Sequence, residues 1–397
     1  MNNIACCYLT HNHPDTVKEI LDKSLKEYME HNIDICIYDD STNNDTKNLI
    51  ERYISEGATG LHYVDAHEVE NGDEKMIMIL QGRGLPEDYE YIWPSKDRVC
   101  FSGSFLDKVC DAVEKGYDVI QAANEFQRWD VRYPTSKDEY TDAGEFYRNY
   151  IVYMTNWEGT IRKRNTMLKH VDWELYRNNY GLDSNNPFFH SMSVMVRILE
   201  MDGFRGGIVR FEKNERYISG TYGSSWENHM FNLWIDRWVA ANYALPSVLD
   251  PYKFDAIRSQ TGLPELFGSA EGMMDFNGRG LYDEEIFNKY RNLWPLITDM
   301  PLDWLSLIST GRYQEVIMLT VEAFEKALSE HDYLWALRLI STNMWFSEMY
   351  DDETYNIMCI CFHIFKQDMI SKGYSHMFSG VDSVDGIVDR YKVLTSR

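Results

Sequence analysis

A mostly parallel α/β domain followed by an all-helical domain is what this sequence predicts, and three observations carry that expectation. Short apolar runs of strand length alternate with helix-period segments through roughly the first 120 residues. After Pro251 the strand signals stop and apolar-periodic segments of helix length follow one another. Between these regimes Gly262, Pro264, Gly268, Gly272, Gly278 and Gly280 cluster as chain breakers. The domains are therefore expected at residues 1–255 and 256–397.

The first strand is expected at 4–9, followed by His11-Asn-His-Pro-Asp and a helix marked by Val17, Ile20, Leu21, Leu25 and Tyr28 at helical spacing. A second strand at 33–38, a polar loop at 39–45 and a helix carrying Leu49, Ile50, Tyr53 and Ile54 repeat the unit. Further strands are expected at 61–64, 89–93 and 117–122, with a Met- and Ile-rich helix at 74–81 and another helix at 105–115. Repeated β-α-β units imply a parallel sheet covered on both faces, with ligands bound beyond the strands' C-terminal ends. Functional residues should therefore sit just after strands. The pattern is mixed through 127–250, and helices are expected at 281–296, 304–308, 313–328, 333–345 and 354–370.

Composition narrows the function classes. The 397 residues exceed what one hydrophobic core usually organises, and 44% hydrophobic with 14% aromatic content is ordinary for a folded chain. With 39 basic against 63 acidic residues the net charge is −24, which argues against a duplex nucleic acid or an anionic membrane as partner. Arg162-Lys163-Arg164 is a local exception, read as a solvated turn or as a docking spot for a phosphate or an acidic acceptor. Seven cysteines without zinc-type spacing read as reduced core thiols. There is neither a secretory-type leader pattern nor an apolar stretch near 20 residues, so a cytoplasmic protein without a transmembrane segment is expected. No phosphate-loop, nucleophile-elbow or zinc-protease motif occurs, which leaves ATPase, serine-hydrolase and metalloprotease readings without their starting residues.

Two loops carry the functional signal: Tyr8-Leu-Thr-His-Asn-His after the first strand and Ile37-Tyr-Asp-Asp-Ser-Thr-Asn-Asn-Asp after the second. Together they resemble the opening of family 2 glycosyltransferases of the GT-A type, a Rossmann-like catalytic domain with a mostly parallel mixed sheet, and the resemblance spans roughly residues 1 to 250. It implies that Thr10 and Asp40 hold the nucleoside of a UDP-sugar, Asp40 accepting from the pyrimidine N3–H, with Asn12 beside them. Residues 91–98, Tyr-Ile-Trp-Pro-Ser-Lys-Asp-Arg, resemble the site of the family's Asp-x-Asp metal motif, with Ser95-Lys96-Asp97 in place of the usual pair. Asp97 would then hold a divalent Mn²⁺ or Mg²⁺ against the diphosphate, Lys96 would replace part of the missing charge compensation, and Ser95 would line the donor site. His229, in Gly220-Thr-Tyr-Gly-Ser-Ser-Trp-Glu-Asn-His, matches the family's later metal- or diphosphate-binding histidine, and Arg83 offers a phosphate contact.

An inverting transferase also needs a base for the acceptor hydroxyl, and the resemblance points to Asp183, with Asp172 and Glu174 as fallbacks. Trp157 and Trp226 are the expected sugar platform among many aromatics. The expected reaction is transfer of a hexose from a UDP-sugar, UDP-Gal or UDP-Glc, to a glycan on a glycoprotein or a surface polysaccharide. The resemblance extends to accessory enzymes that glycosylate serine-rich bacterial adhesins, whose added C-terminal domain suggests dimerisation or acceptor docking through the helices. The alternative is a non-catalytic scaffold built on a degraded transferase domain, for which the altered metal motif is the best argument. Nucleotidyl transfer ranks last because no Gly-rich, Arg/Lys-bearing first loop is present.

Overall fold

The computed structural model describes residues 4–69, 72–124, 137–169, 171–180, 189–219, 227–262 and 264–330, with single positions 332, 335, 339 and 367. The described chain divides into two compact units. The first comprises 1–125, 137–225 and 237–253, and the second 126–136, 226–236 and 254–397.

The first unit opens as the alternation requires: β1 (Ile4–Thr10), α1 (Pro14–Glu30), β2 (Ile33–Asp39), α2 (Asp45–Ser55), β3 (Leu61–Asp65), α3 (Gly72–Leu80) and β4 (Tyr91–Lys96). Then come β5 (Val99–Phe101), α4 (Ser104–Glu114), β6 (Val119–Asn124), β7 (Glu139–Tyr140), α5 (Ala143–Tyr150), β8 (Thr160–Lys163), α6 (Trp173–Tyr180), α7 (Phe189–Glu200), β9 (Gly206–Phe211) and β10 (Arg216–Ile218). Eight strands form one mixed sheet in the order β3-β2-β1-β4-β8-β6-β9-β7, and β5 pairs with β10 separately. β3, β2, β1 and β4 are mutually parallel, and β8 runs antiparallel to both β4 and β6. This is the mostly parallel mixed sheet that the alternation of strands and helices predicts.

β1 and β2 are buried along almost their whole length, as central parallel strands must be. α1 begins with Pro14, whose fixed φ suits a first helical turn, and buries Val17, Ile20, Leu21, Leu25 and Tyr28 at the spacing read from the sequence. Its face meets a core in which Trp93 lies 5.6 Å from Phe101 and Phe105 lies 5.7 Å from Phe211, ring to ring. β4 runs three residues beyond its expected end. Its pairing with β8 covers only Tyr91 and Ile92, so Pro94, which has no N–H to donate, sits where no β8 partner faces it.

In the second unit every described element is helical, including α8 (Ala270–Gly278), α9 (Glu284–Lys289), α10 (Trp294–Ile297), α11 (Leu302–Ser309) and α12 (Tyr313–Ser329). Phe231, Phe267, Tyr282 and Trp294 form its aromatic core, with Phe231 and Tyr282 stacked at 5.7 Å. The single helix expected at 281–296 is two short ones. Asp283 caps the first, and Pro295, which cannot sit in a helix interior, opens the second. The helices expected at 333–345 and 354–370 lie outside the described residues except for single positions. No helix among the described residues is long and apolar enough to cross a membrane.

Candidate functional site

Parallel pairing decides where the chemistry gathers. Thr10 is the register partner of Asp39, and Leu9 is the partner of Lys96, so β1 ends between the acidic turn after β2 and the turn after β4. The loop after β1 then reaches both neighbours. His11 Nδ1 lies 2.9 Å from Asp40 Oδ1, and His13 Nδ1 lies 3.1 Å from Asp97 Oδ2. Asn12, at a φ of 57°, donates its backbone N–H to Ser41 Oγ at 2.7 Å and accepts from the Thr42 N–H at 2.8 Å through Oδ1. A left-handed φ suits Asn, whose short amide can bond locally. The two acidic turns thus converge on one three-residue loop.

The β2 turn is itself rigid. Asp39 is fully buried, and its Oδ1 accepts from both the backbone N–H and the hydroxyl of Ser41. His67, after β3, donates through Nε2 to the Ser41 carbonyl at 2.8 Å, and its pKa is raised first by the neighbouring Asp65.

Asp40 is not an isolated carboxylate. Its Oδ1 meets the ammonium of Lys75 at 2.5 Å, and the same ammonium donates to the Thr10 carbonyl at 2.6 Å. Burial pushes the Asp40 carboxyl up, but Lys75 and His11 outweigh it and hold it below the ordinary aspartate range. Lys75 is 2% exposed. Sequence reasoning missed it because α3 reads as an apolar helix, Lys-Met-Ile-Met-Ile-Leu, whose lysine would ordinarily point to water. The Thr10 hydroxyl is also buried, and it has no hydrogen-bond partner among the described residues.

The β4 end is held from below. Lys96 Nζ lies 3.7 Å from Glu158 Oε2, and Arg216, on β10, donates to Glu158 Oε1. Glu158 is 2% exposed. Burial alone would raise its pKa, yet the charges of Lys96 and Arg216 bring it down to about 2. The next residue has to be glycine: a Cβ on Gly159 would stand 2.8 Å from the Tyr153 carbonyl oxygen and 2.9 Å from Gln121 Nε2. Ser95 is buried, with only long contacts from its hydroxyl to backbone carbonyls, 3.4 Å to Val99 and 3.5 Å to Lys96.

Other expected residues fall elsewhere. Arg83 is exposed and pairs with Glu68, so its guanidinium is already engaged by a carboxylate. His229 ends a short 3₁₀ turn of the second unit and is exposed. Asp172 accepts from the Leu175 N–H at 2.9 Å as a helix cap, and Glu174 is an exposed first-turn acid. Asp183 and Trp226 lie outside the described residues. Trp157 is half-buried and edge-on to His190, with ring centroids 6.0 Å apart.

The Arg162-Lys163-Arg164 cluster is neither a solvated turn nor a basic patch. Arg162 and Lys163 belong to β8, whose alternation sends successive side chains to opposite faces. Arg162 is buried and donates to the His190 carbonyl, Lys163 pairs with Glu90, and Arg164 donates to the Pro86 carbonyl. Burial, reinforced by the Arg162 charge, pushes His190 down to about 3. The unfolded chain binds that proton near pH 6.5, so stability from the neutral ring is complete above about 6.5 and falls as pH drops toward about 3. We expect His190→Gln to flatten the acid limb of stability by about 1.4 kcal/mol per pH unit between pH 6 and 4, read by urea denaturation.

Among the described residues no group of three or more His, Cys, Asp or Glu side chains converges to cage a metal ion. Asp97 with His13 nevertheless offers two donors, which suits a hard ion that keeps waters and takes its remaining ligands from a diphosphate. The cysteines of the described core, Cys6, Cys7, Cys36 and Cys100, are buried and free, as expected.

No protein-family model matches this chain. No curated protein matches it. Among solved structures, TarS 1-349 from S. aureus is similar over 79% of this chain and 92% of its own, at 12% identity and a TM-score of 0.44. The same protein in complex with UDP matches over the same shares at 11% identity and a TM-score of 0.45. The mannosyltransferase PcManGT from Pyrobaculum calidifontis, in complex with GDP-Man and Mn2+, matches over 79% of this chain and 87% of its own, at 12% identity and a TM-score of 0.40.

Proposed function

We propose that this chain is a glycosyltransferase that moves a hexose from a UDP-sugar, UDP-Gal or UDP-Glc, to a carbohydrate acceptor. The observation that supports it is the convergence on one loop: His11 touches Asp40 and His13 touches Asp97, so the turns after β2 and β4 face a single shared position. A nucleoside beside Thr10 and Asp40 would extend its diphosphate toward Asp97 and Lys96. The Asp40 carboxylate binds the base, Asn12 fixes the loop that shapes the pocket, and Lys96 opposes the charge that grows on the departing UDP. A divalent ion held by Asp97 and His13 would supply further charge compensation there. Glu158 and Arg216 hold Lys96 at the strand end rather than contacting substrate. In this reading Asp183 takes the acceptor proton and the product is inverted, and the helical second unit pairs two copies or docks the glycan acceptor.

Calorimetric titration with UDP, with and without Mn²⁺, tests the donor site, and UDP release from candidate donors tests the reaction. We expect UDP binding that Mn²⁺ strengthens, and a fall in turnover of about a hundredfold or more in Asp97→Asn and in Asp183→Asn. A chain that binds no nucleotide under either condition is a scaffold and not a transferase.

A further inference from the structure

The turn after β2 is also held from the loop after β3, by a histidine that serves two acceptors at once. His67 donates through Nε2 to the Ser41 carbonyl at 2.8 Å, and its Nδ1 lies 2.6 Å from Asp65 Oδ1. A carbonyl and a carboxylate only accept, so both contacts are hydrogen bonds only when both ring nitrogens carry hydrogen, which makes the ring an imidazolium. His11 differs: one N–H at Nδ1 serves Asp40, and Nε2 accepts from the Asn12 amide at 3.0 Å. Ser41, which follows Asp40 directly, is the hub of the turn. Its N–H and hydroxyl both bond Asp39 Oδ1, and its Oγ accepts from the Asn12 N–H. When the His67 ring loses a proton, one N–H remains for two acceptors. The shorter contact, to the charged acceptor, keeps it, and the Nε2 lone pair is left against the Ser41 carbonyl oxygen.

We propose that His67 is a positioning residue for the nucleotide-binding turn, latching Ser41 as an imidazolium so that nucleotide affinity is linked to the proton on its ring. This assignment rests on the proposed function, which seats the nucleoside against Asp40. The carboxylates that face the ring hold the proton on: Asp65 on β3, the largest cause, and Asp39 at the end of β2 raise its pKa above the ordinary value. Lys47, on α2, acts on Asp65, while Glu68, in the same loop as His67, is paired with Arg83. The latch is therefore closed below about pH 6.5 and opens as pH rises through the raised value. Nucleotide binding weakens over the same interval, and by reciprocity a bound nucleotide tightens the ring's hold on its proton.

The full-length protein and its His67→Ala variant, each titrated with UDP at pH 6 and pH 8.5, provide the test, because the ratio of the two affinities cancels the ionisation of UDP itself. We expect His67→Ala to bind UDP about three- to fivefold more weakly than wild type at pH 6 and equally at pH 8.5, whereas a merely structural histidine would cost the same at both. Asp65→Asn, which removes the carboxylate facing the ring, should move the fall in affinity to lower pH. Followed by NMR, the His67 ring proton of the wild type should titrate above about pH 6.5, and higher still with UDP bound. A ratio that does not change with pH, or a ring that titrates below about 6.5, overturns the latch and leaves the transferase reading standing. Absence of UDP binding at both pH values overturns both.

Discussion

Replacing Glu158 with alanine is expected to lower the free energy of unfolding by about 3–5 kcal/mol, the cost of stranding the cationic partners of a buried carboxylate. Glu158 is almost wholly inside the first unit, bonded by Arg216 and faced by Lys96 at 3.7 Å. Removing it leaves two positive side chains repelling each other where water cannot fully hydrate them. The same pairing writes a pH signature. The carboxyl is held down to about 2 in the folded protein against about 4.3 in an unfolded chain. Its contribution is therefore complete above about 4.3 and is lost as pH falls from there toward about 2. Denaturant titrations at pH 7 and pH 3 check both points: wild type should lose about half of this increment between the two, and Glu158→Ala, already without it, should not. A variant as stable as wild type at pH 7 would show that Lys96 and Arg216 find other partners and that Glu158 does not hold the β4 end.

How much of this was legible in the sequence follows from which interactions have a period. Strand and helix repeats are local, so β1, β2, β3 and the apolar face of α1 could be read directly, and the rule that ligands gather after parallel strands pointed to the loops after β1, β2 and β4, in which the family resemblance implies Thr10, Asp40 and Asp97. The contacts that join those residues have no period. His11 and Asp40 are 29 positions apart and His13 and Asp97 are 84, separations that mean nothing until β1 is known to lie between β2 and β4. Lys75 was hidden for the opposite reason: its neighbours identified the helix so clearly that one polar residue in it looked incidental. Arg162-Lys163-Arg164 misled because a run of like charges reads as a surface, whereas Arg162 and Arg164 are both buried and each of the three residues has its own partner. The break at Pro295 was visible as a proline, but apolar spacing on both sides of it favoured one continuous helix.

Asp40→Asn should abolish measurable nucleotide binding, a loss of about a hundredfold or more, even though the side chain keeps its shape. An amide has one carbonyl and one amino group where the carboxylate has two acceptors. If the carbonyl faces Lys75, as the buried ammonium requires, the amino group faces the groove and confronts the ring N–H it replaced an acceptor for. If the amide turns over, its amino group meets the Lys75 ammonium at a separation of about 2.5 Å, and in either orientation the lysine loses its only close counter-charge among the described residues. Neither orientation serves both neighbours, so stability should also fall by about 1–3 kcal/mol. The pair can be separated from the fold by replacing both members. Lys75→Met with Asp40→Leu removes the buried charge together with its partner, an exchange that is often neutral for stability, and the double variant should unfold near wild type while still binding no nucleotide. Stability recovered without binding would establish that this ion pair is retained for recognition, whereas binding recovered along with stability would show that the nucleotide is held elsewhere.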